Sequence, residues 1–249
     1  MKLSIILPIY FEDRSAAATI REMVRRVAAV PLHKEILLVD DGSDVDITAI
    51  LEGLDVLGLR HLRHDLHRGR GAAIQTGLSA MTGDVVVIQE ADLAYDPQDW
   101  PRLLAPIVAS QTQVVYGVRN FASQGWTLRL GNRLMASVTH LLYGVRLRDM
   151  ATGVKMMTRR VAKGLRLESQ RLGVEAELTA KILRQGYTIL EVPLHTSARP
   201  DRGWDKARLA PALQGLPTLW ALIRYRFWRP LPPSGAELQV VQSETTQSD

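Results

Sequence analysis

The chain of 249 residues contains no cysteine. Disulfide frameworks, zinc–thiolate centres, iron–sulfur clusters and thiol nucleophiles are excluded with it, and a reducing, cytosolic setting fits. No apolar run reaches the roughly 18 residues that a membrane-spanning helix needs. The uncharged stretch 209–223 is interrupted by Pro211, Gly215 and Pro217. No G-x-G-x-x-G fingerprint follows the first strand-like segment, where Pro8-Ile9-Tyr10 stands instead, which argues against a dinucleotide oxidoreductase. Neither an internal repeat nor a nucleic-acid-binding module pattern is present, so no nucleic-acid partner is expected. The amino terminus reads as a strand followed directly by Glu12 and Asp13, and no signal peptide is expected there.

What is there has the make-up of an ordinary globular domain, with 46% hydrophobic and 23% charged residues. The formal net charge of +5 is unevenly spread. Residues 231–249 carry Glu237, Glu244 and Asp249 and no basic residue, whereas 199–230 hold Arg199, Arg202, Lys206, Arg208, Arg224, Arg226 and Arg229 against Asp201 and Asp205. A basic excess of this kind suits an anionic partner, such as a phosphorylated substrate or a membrane surface, and equally a solvated basic face.

In the first half, strand-like and helix-like patterns alternate. Leu3–Leu7, Glu35–Val39, Leu59–Leu62 and Asp84–Ile88 are short runs rich in Ile, Val and Leu, the pattern of parallel strands covered on both faces. Helical patterns lie at about 15–29, with Ser15 as a cap, 44–53 and 71–81. This alternation predicts a doubly wound α/β sheet, whose ligands sit beyond the carboxyl ends of the strands. The second half predicts a strand at Gln113–Gly117, helices at 127–142 and 174–185, a strand at 188–193, a basic loop at 196–208, an amphipathic helix at 209–228 with a proline break, and a disordered tail over 231–249.

Three expected parallel strands run into acidic clusters: Glu12 after the first, Asp40-Asp41-Gly42-Ser43 after the second, and Gln89-Glu90-Ala91-Asp92 after the fourth. They should meet on one rim. Glu90 and Asp92, two apart in extended chain, point the same way and offer hard oxygen ligands suited to Mg²⁺ or Mn²⁺, with phosphate oxygens completing the shell. Each cluster alone is as well explained by a turn or a helix cap. Their order and spacing together are more specific.

Taken with Gly69-Arg70-Gly71-Ala72-Ala73, Tyr116-Gly117-Val118-Arg119, Asp149-Met150-Ala151-Thr152-Gly153-Val154-Lys155, Glu175-Ala176-Glu177-Leu178 and Arg224-Tyr225-Arg226-Phe227, the chain resembles the family 2 inverting glycosyltransferases of the GT-A fold, over about Leu3 to Phe227. Within them it is similar to the dolichyl- and polyprenyl-phosphate mannosyl- and glucosyltransferases. The resemblance implies a Rossmann-like, mostly parallel sheet flanked by helices. It implies a single domain over 1–230, with a nucleotide-binding half (1–117), an acceptor half (118–208) and a helix at 209–230 for the membrane interface. Pro8, Tyr10, Glu12, Asp40, Asp41, Gly71, Glu90 and Ala91 would hold the nucleotide of a nucleotide-sugar donor of the GDP-mannose or UDP-glucose type. Glu90 and Asp92 would bind the metal. Arg119, Arg133, Arg199 and Lys206 would approach phosphates of donor or acceptor. The sequence departs from the family pattern at Glu90, in place of the usual Asp, at Ala94, where Gln or Glu is usual, and at His67 and Arg70, in place of Asn and Lys.

For such a transferase the expected chemistry is in-line displacement of the diphosphate through an oxocarbenium-like state, with Asp92, Arg119, Asp149 and Glu177 as the expected catalytic residues. A polyprenyl phosphate is already anionic near neutral pH and needs no general base. A saccharide hydroxyl acceptor would need one, and Asp149 and Glu177 are the candidates; Glu175 and Glu177 also suit the amino end of a helix structurally. A nucleotidyltransferase and a non-catalytic nucleotide-sugar-binding protein are the other readings. Trp220, Arg224, Tyr225, Arg226, Phe227, Trp228 and Arg229 mix aromatics and cations as a membrane-interface helix does, which implies peripheral attachment to the cytoplasmic face. His61, His64 and His67 recur every third residue but are read as straddling a strand and a loop. Guanine or uracil, the sugar and the oligomeric state are not specified.

Overall fold

The computed structural model describes residues 1–13, 17–91, 93–119, 126–171, 173–196 and 211–229. Asp92, Arg199, Lys206, the Ser15 cap, most of the basic loop at 196–208 and the tail at 231–249 lie outside the described residues.

Seven strands form one sheet in the order β3-β2-β1-β4-β6-β5-β7. They are β1 (Leu3–Ile9), β2 (Lys34–Asp40), β3 (Leu59–Arg63), β4 (Val85–Gln89), β5 (Val114–Val118), β6 (Val154–Thr158) and β7 (Ile189–Pro193). All run parallel except β6, which pairs antiparallel with both β4 and β5. The helices are α1 (Ala17–Ala29), α2 (Ile47–Leu51), α3 (Arg70–Ala80), α4 (Trp100–Val108), α5 (Trp126–Tyr143), α6 (Arg159–Lys163), α7 (Val174–Arg184) and α8 (Pro211–Arg226).

Strand alternation explains the two-sided core. Ile5, Leu7, Ile9, Ile36, Leu38, Val85 and Val87 face α1 and α4. Ile6, Leu37, Val39, Val86 and Ile88, each one residue out of phase, pack on the face of α3, α6 and α7. A third cluster joins Ala176 and Ala180 of α7 to Ala221, Leu222 and Tyr225 of α8, with Met135, Val138 and Leu142 of α5 packed against it.

The α/β sheet expected from the sequence is present. The differences are local. β6, α4 and α6 were not anticipated. Lys155 interrupts the apolar pattern of β6, and Pro101 and Pro106 sit within α4. Pro101 falls in the first turn, where a missing N–H removes no helical bond. Pro217 does not break α8, which runs through it; the inward packing of Ala221, Leu222 and Tyr225 holds the helix together beyond the proline. The helix expected over 44–53 is only five residues long, capped by Asp46, which accepts a hydrogen bond from Ala49 N.

Candidate active site

Because β1, β2, β4 and β5 are parallel, the segments after them share one rim. The antiparallel β6 begins there, so Thr152-Gly153 meets the end of β4, with Glu90 N donating to Gly153 O at 3.1 Å.

On the β2 side the carboxylates are buried and committed. Asp41 accepts from Gly69 N at 2.6 Å and Arg68 N at 3.1 Å, and lies 2.7 Å from His64 Nδ1 and 3.0 Å from His67 Nδ1. His64 is held on its other side by Thr76 Oγ1 at 2.8 Å. Asp40 accepts from Ser43 N at 2.8 Å and Arg63 Nη1 at 2.9 Å, with His61 Nε2 at 3.7 Å. Burial alone would raise its pKa, but the nearby His61 ring, the hydrogen bonds from Ser43 and the Arg63 charge hold it below the usual carboxylate value. The three histidines are thus spread over two aspartates. Among the described residues, no group of three or more His, Asp or Glu is arranged to hold a metal ion.

This framework shapes the glycine segment. Gly71 N donates to Gln170 O at 2.6 Å, and a Cβ on Gly71 would overlap the carbonyl oxygen of Ser169. Residues 168–170 are fixed in turn by Glu177, whose oxygens accept from Glu168 N and Ser169 N at 2.7 Å each and pair with Lys181 at 2.6 Å. Glu177 is buried and fully engaged; burial would raise its pKa, yet Lys181 and the two backbone donors keep it low. The geometry gives this candidate base a positioning place. Tyr10, after β1, stacks with His67 at a centroid separation of 4.0 Å, which leaves an aromatic surface beside the glycine segment. Glu12 is exposed after β1.

On the β4 side the charges answer mainly one another. Arg70, the first residue of α3, places Nη1 3.2 Å from Glu90 Oε1 and 2.7 Å from Glu175 Oε1. The second oxygen of Glu175 pairs with Lys155, which also donates to Thr152 O at 2.6 Å. Lys155 is buried; desolvation lowers its pKa while Glu175 opposes the shift. Glu175 would be raised by burial, but Arg70 and Lys155 hold it below its ordinary value. Glu90 is 23% exposed, and its side chain rests on Gly153, where a Cβ would come within 2.6 Å of its Cδ.

Arg119, at the end of β5, forms a two-point pair with Asp149, Nε to Oδ2 and Nη2 to Oδ1 both at 2.7 Å. Burial would lower the guanidinium pKa; the hydrogen bond to Asp149 and the charges of Asp149 and Glu90 raise it above the ordinary value. Asp149 is fully buried and both its oxygens are on Arg119. The other candidate base therefore also orients a neighbour. Arg133 lies exposed on α5. Pro8 is buried within β1 and Ala91 follows Glu90 at the rim.

The structure places Arg119, Asp149 and Glu90 at this rim together with Arg70, Glu175 and Lys155, which were not among the expected site residues. One signal was available: on a helix, residues two apart face about 200° from each other. Of Glu175 and Glu177, only one can face the rim, and it is Glu175. The hard carboxylate of Glu90, fixed and partly open, fits one corner of a Mg²⁺ or Mn²⁺ site.

Comparison with known proteins adds to this geometry. A family model described as Glycosyl transferase family 2 matches residues 4–167. The chain is 31% identical over 163 residues to the undecaprenyl-phosphate 4-deoxy-4-formamido-L-arabinose transferase of Sodalis glossinidius, a match covering 64% of this chain and 50% of that protein. It is 27% identical over 176 residues to the dodecaprenyl-phosphate galacturonate synthase of Rhizobium johnstonii, covering 67% of this chain and 51% of that protein. It thus spans about half the length of these curated relatives. Among solved structures, glucosyl-3-phosphoglycerate synthase from Mycobacterium tuberculosis, in complex with Mn²⁺, UDP and glucosyl-3-phosphoglycerate, superposes with a TM-score of 0.68 at 21% identity, over 94% of this chain and 82% of that one. At that identity the likeness shows the fold, which is GT-A.

Proposed function

The chain belongs to glycosyl transferase family 2, and from that premise we propose that it transfers a sugar from a nucleoside-diphosphate sugar to a polyprenyl phosphate at a membrane surface. The observation that carries the acceptor choice is the state of the two candidate bases. Asp149 is locked on Arg119 and Glu177 is buried under Lys181 and two backbone donors. Neither is placed to take a proton from a sugar hydroxyl, whereas a phosphate acceptor needs no base. The curated relatives named above are transferases of polyprenyl phosphates, which supports the same reading.

In this reading Tyr10 and His67 flank the base of the donor, and Arg119, oriented by Asp149, donates to phosphate oxygens in a two-point geometry. Glu90, with Asp92 beside it in sequence, would hold Mg²⁺ or Mn²⁺. The ion would neutralise charge on the departing diphosphate. Glu177 keeps residues 168–170 seated over Gly69–Gly71, which fixes the start of α3 and with it Arg70. Arg133, Arg199 and Lys206 are proposed to meet the acceptor phosphate.

Membrane contact is proposed through α8 and α5. Among the described residues no helix is long and apolar enough to cross a membrane. On α8, Leu216, Trp220 and Ile223, and directly after it Phe227, recur at helical spacing and are exposed, Trp220 at 63% and Phe227 at 79%. Leu130, Leu134 and Leu141 form a second exposed stripe on α5, which packs on α8. Arg224 lies on the exposed side of α8, and Tyr225 turns inward to the core. An apolar stripe beside cations suits an interface with anionic lipid, at the cytoplasmic leaflet.

Calorimetric titration of GDP and UDP, each with and without Mg²⁺ or Mn²⁺, tests the donor half. Metal-enhanced binding of one nucleotide is expected; no binding of either by folded protein would leave the non-catalytic reading. With that donor, labelled sugar should pass to a polyprenyl phosphate in mixed micelles. Transfer to a saccharide hydroxyl and not to the polyprenyl phosphate would overturn the acceptor assignment.

A further inference from the structure

The carboxylate proposed as a metal ligand already holds a cation. Arg70 Nη1 sits 3.2 Å from Glu90 and 2.7 Å from Glu175, and its side chain is only 19% exposed. Glu175, at 16% exposure, is anchored from behind by buried Lys155, so it offers Arg70 a fixed second seat. The backbone of Glu90 is held by its N–H bond to Gly153 O, and its side chain lies in the space that a Cβ on Gly153 would fill. The start of α3 is equally fixed, with Arg68 N and Gly69 N bonded to Asp41 and Gly71 N bonded to Gln170 O. Of the Arg70–Glu90 pair, Arg70 is the partner that already has a second carboxylate, Glu175, in contact.

We infer that Arg70 is the resident counter-cation of Glu90 and competes with the divalent ion for it. This rests on the reading of the rim as a nucleotide-sugar site. A divalent ion on Glu90 and a guanidinium in contact with the same carboxylate repel each other at short range. Ion entry moves Arg70 off Glu90, onto Glu175 alone or onto a diphosphate oxygen of the donor, where a guanidinium bonds well. Two consequences follow. The ion binds weakly by itself and more tightly once a nucleoside diphosphate engages Arg70. The diphosphate, for its part, retains measurable affinity without any ion because Arg70 supplies part of the positive charge.

The test is a titration of Mn²⁺ followed by the paramagnetic signal of the free ion, on the full chain, without nucleotide and with UDP or GDP. Arg70→Gln should tighten Mn²⁺ binding in the absence of nucleotide by about tenfold and weaken metal-free nucleotide binding by a similar factor, the scale of one lost charge-assisted bond. Arg70→Lys, which keeps the charge but not the bridging fork, should fall between and serves if the Gln variant folds poorly. Glu90→Gln should abolish Mn²⁺ binding in both backgrounds. If Glu90→Gln abolishes it while Arg70→Gln leaves it unchanged or weaker, the competition is refuted and the metal site stands. If Glu90→Gln leaves Mn²⁺ binding intact, Glu90 is not a ligand and both readings fall.

Discussion

Two clusters of acids and cations share the rim of one sheet, and they are built on opposite principles. At the end of β2, Asp40 and Asp41 are buried and spend their oxygens on backbone N–H groups, three histidines and Arg63. At the end of β4, Glu90, Glu175, Arg70, Lys155, Arg119 and Asp149 form ion pairs among themselves, and Glu90 and Arg70 stay partly open to solvent. The first cluster is a brace that shapes the glycine segment. The second, in the reading proposed above, exchanges partners when an anion or a cation arrives. Acidic motifs of similar appearance in sequence thus divide into one that is buried in backbone and histidine contacts and one that is partly open and paired with arginine.

The largest effect should come from breaking the brace. Asp41→Ala leaves two backbone N–H groups and His64 without their buried acceptor, and should cost about 3–5 kcal/mol of stability, read as a fall in the urea midpoint. A loss below about 1 kcal/mol would mean that the β2 cluster is not structural. Glu35, buried at the other end of β2, provides a control away from the rim. Hydrogen bonds from Ser4 and Thr82 and the charge of Lys2 outweigh its burial and lower its pKa from 4.5 to about 2. Stability from this group is fully present above pH 4.5 and is lost as pH falls towards 2, about 3 kcal/mol in all. Glu35→Gln should remove that part of the acid unfolding profile measured by circular dichroism, while leaving nucleotide affinity unchanged.

In the second cluster, effects should appear in turnover rather than in folding. Asp149→Asn frees the Arg119 fork and should lower kcat by about a hundredfold, the scale of one misplaced charge-stabilising donor. Nucleotide affinity should change much less. Equal losses in both would show that Arg119 binds the ground state instead. The smallest effect on the fold should come from the α8 stripe. Trp220→Ser with Phe227→Ser removes exposed side chains, so stability should shift by less than about 0.5 kcal/mol. Sedimentation with anionic liposomes should nevertheless fall severalfold. Unchanged sedimentation would remove α8 as the membrane contact.

Much of this molecule was legible in its sequence. Short runs of Ile, Val and Leu give β1, β2 and β4, since a strand covered on both faces must be apolar throughout. The segments Asp40–Ser43 and Gln89–Ala91 fall at parallel strand ends, as their order implied. β6 escaped because Lys155, its second residue, reads as polar surface; its pairing with Glu175, twenty residues on, and its bond to Thr152 O make a buried ammonium tolerable. Glu177 stood out as a candidate base while Glu175 did not, because the two differ only in which side of α7 they face.

The sequence by itself determined the alternation of strands and helices, the absence of thiol chemistry and the positions of the acidic motifs. These depend on local periodicity and residue type, which are one-dimensional properties. Tertiary structure decided which carboxylate is a buried brace and which stays partly open at the rim. It turned β6 antiparallel, so that Gly153 wedges Glu90. It folded 168–170 over the glycine segment, and it set Arg70 between Glu90 and Glu175. A charge acquires its role from the partners and the burial it meets, and those come from residues as far apart along the chain as Arg70 and Glu175.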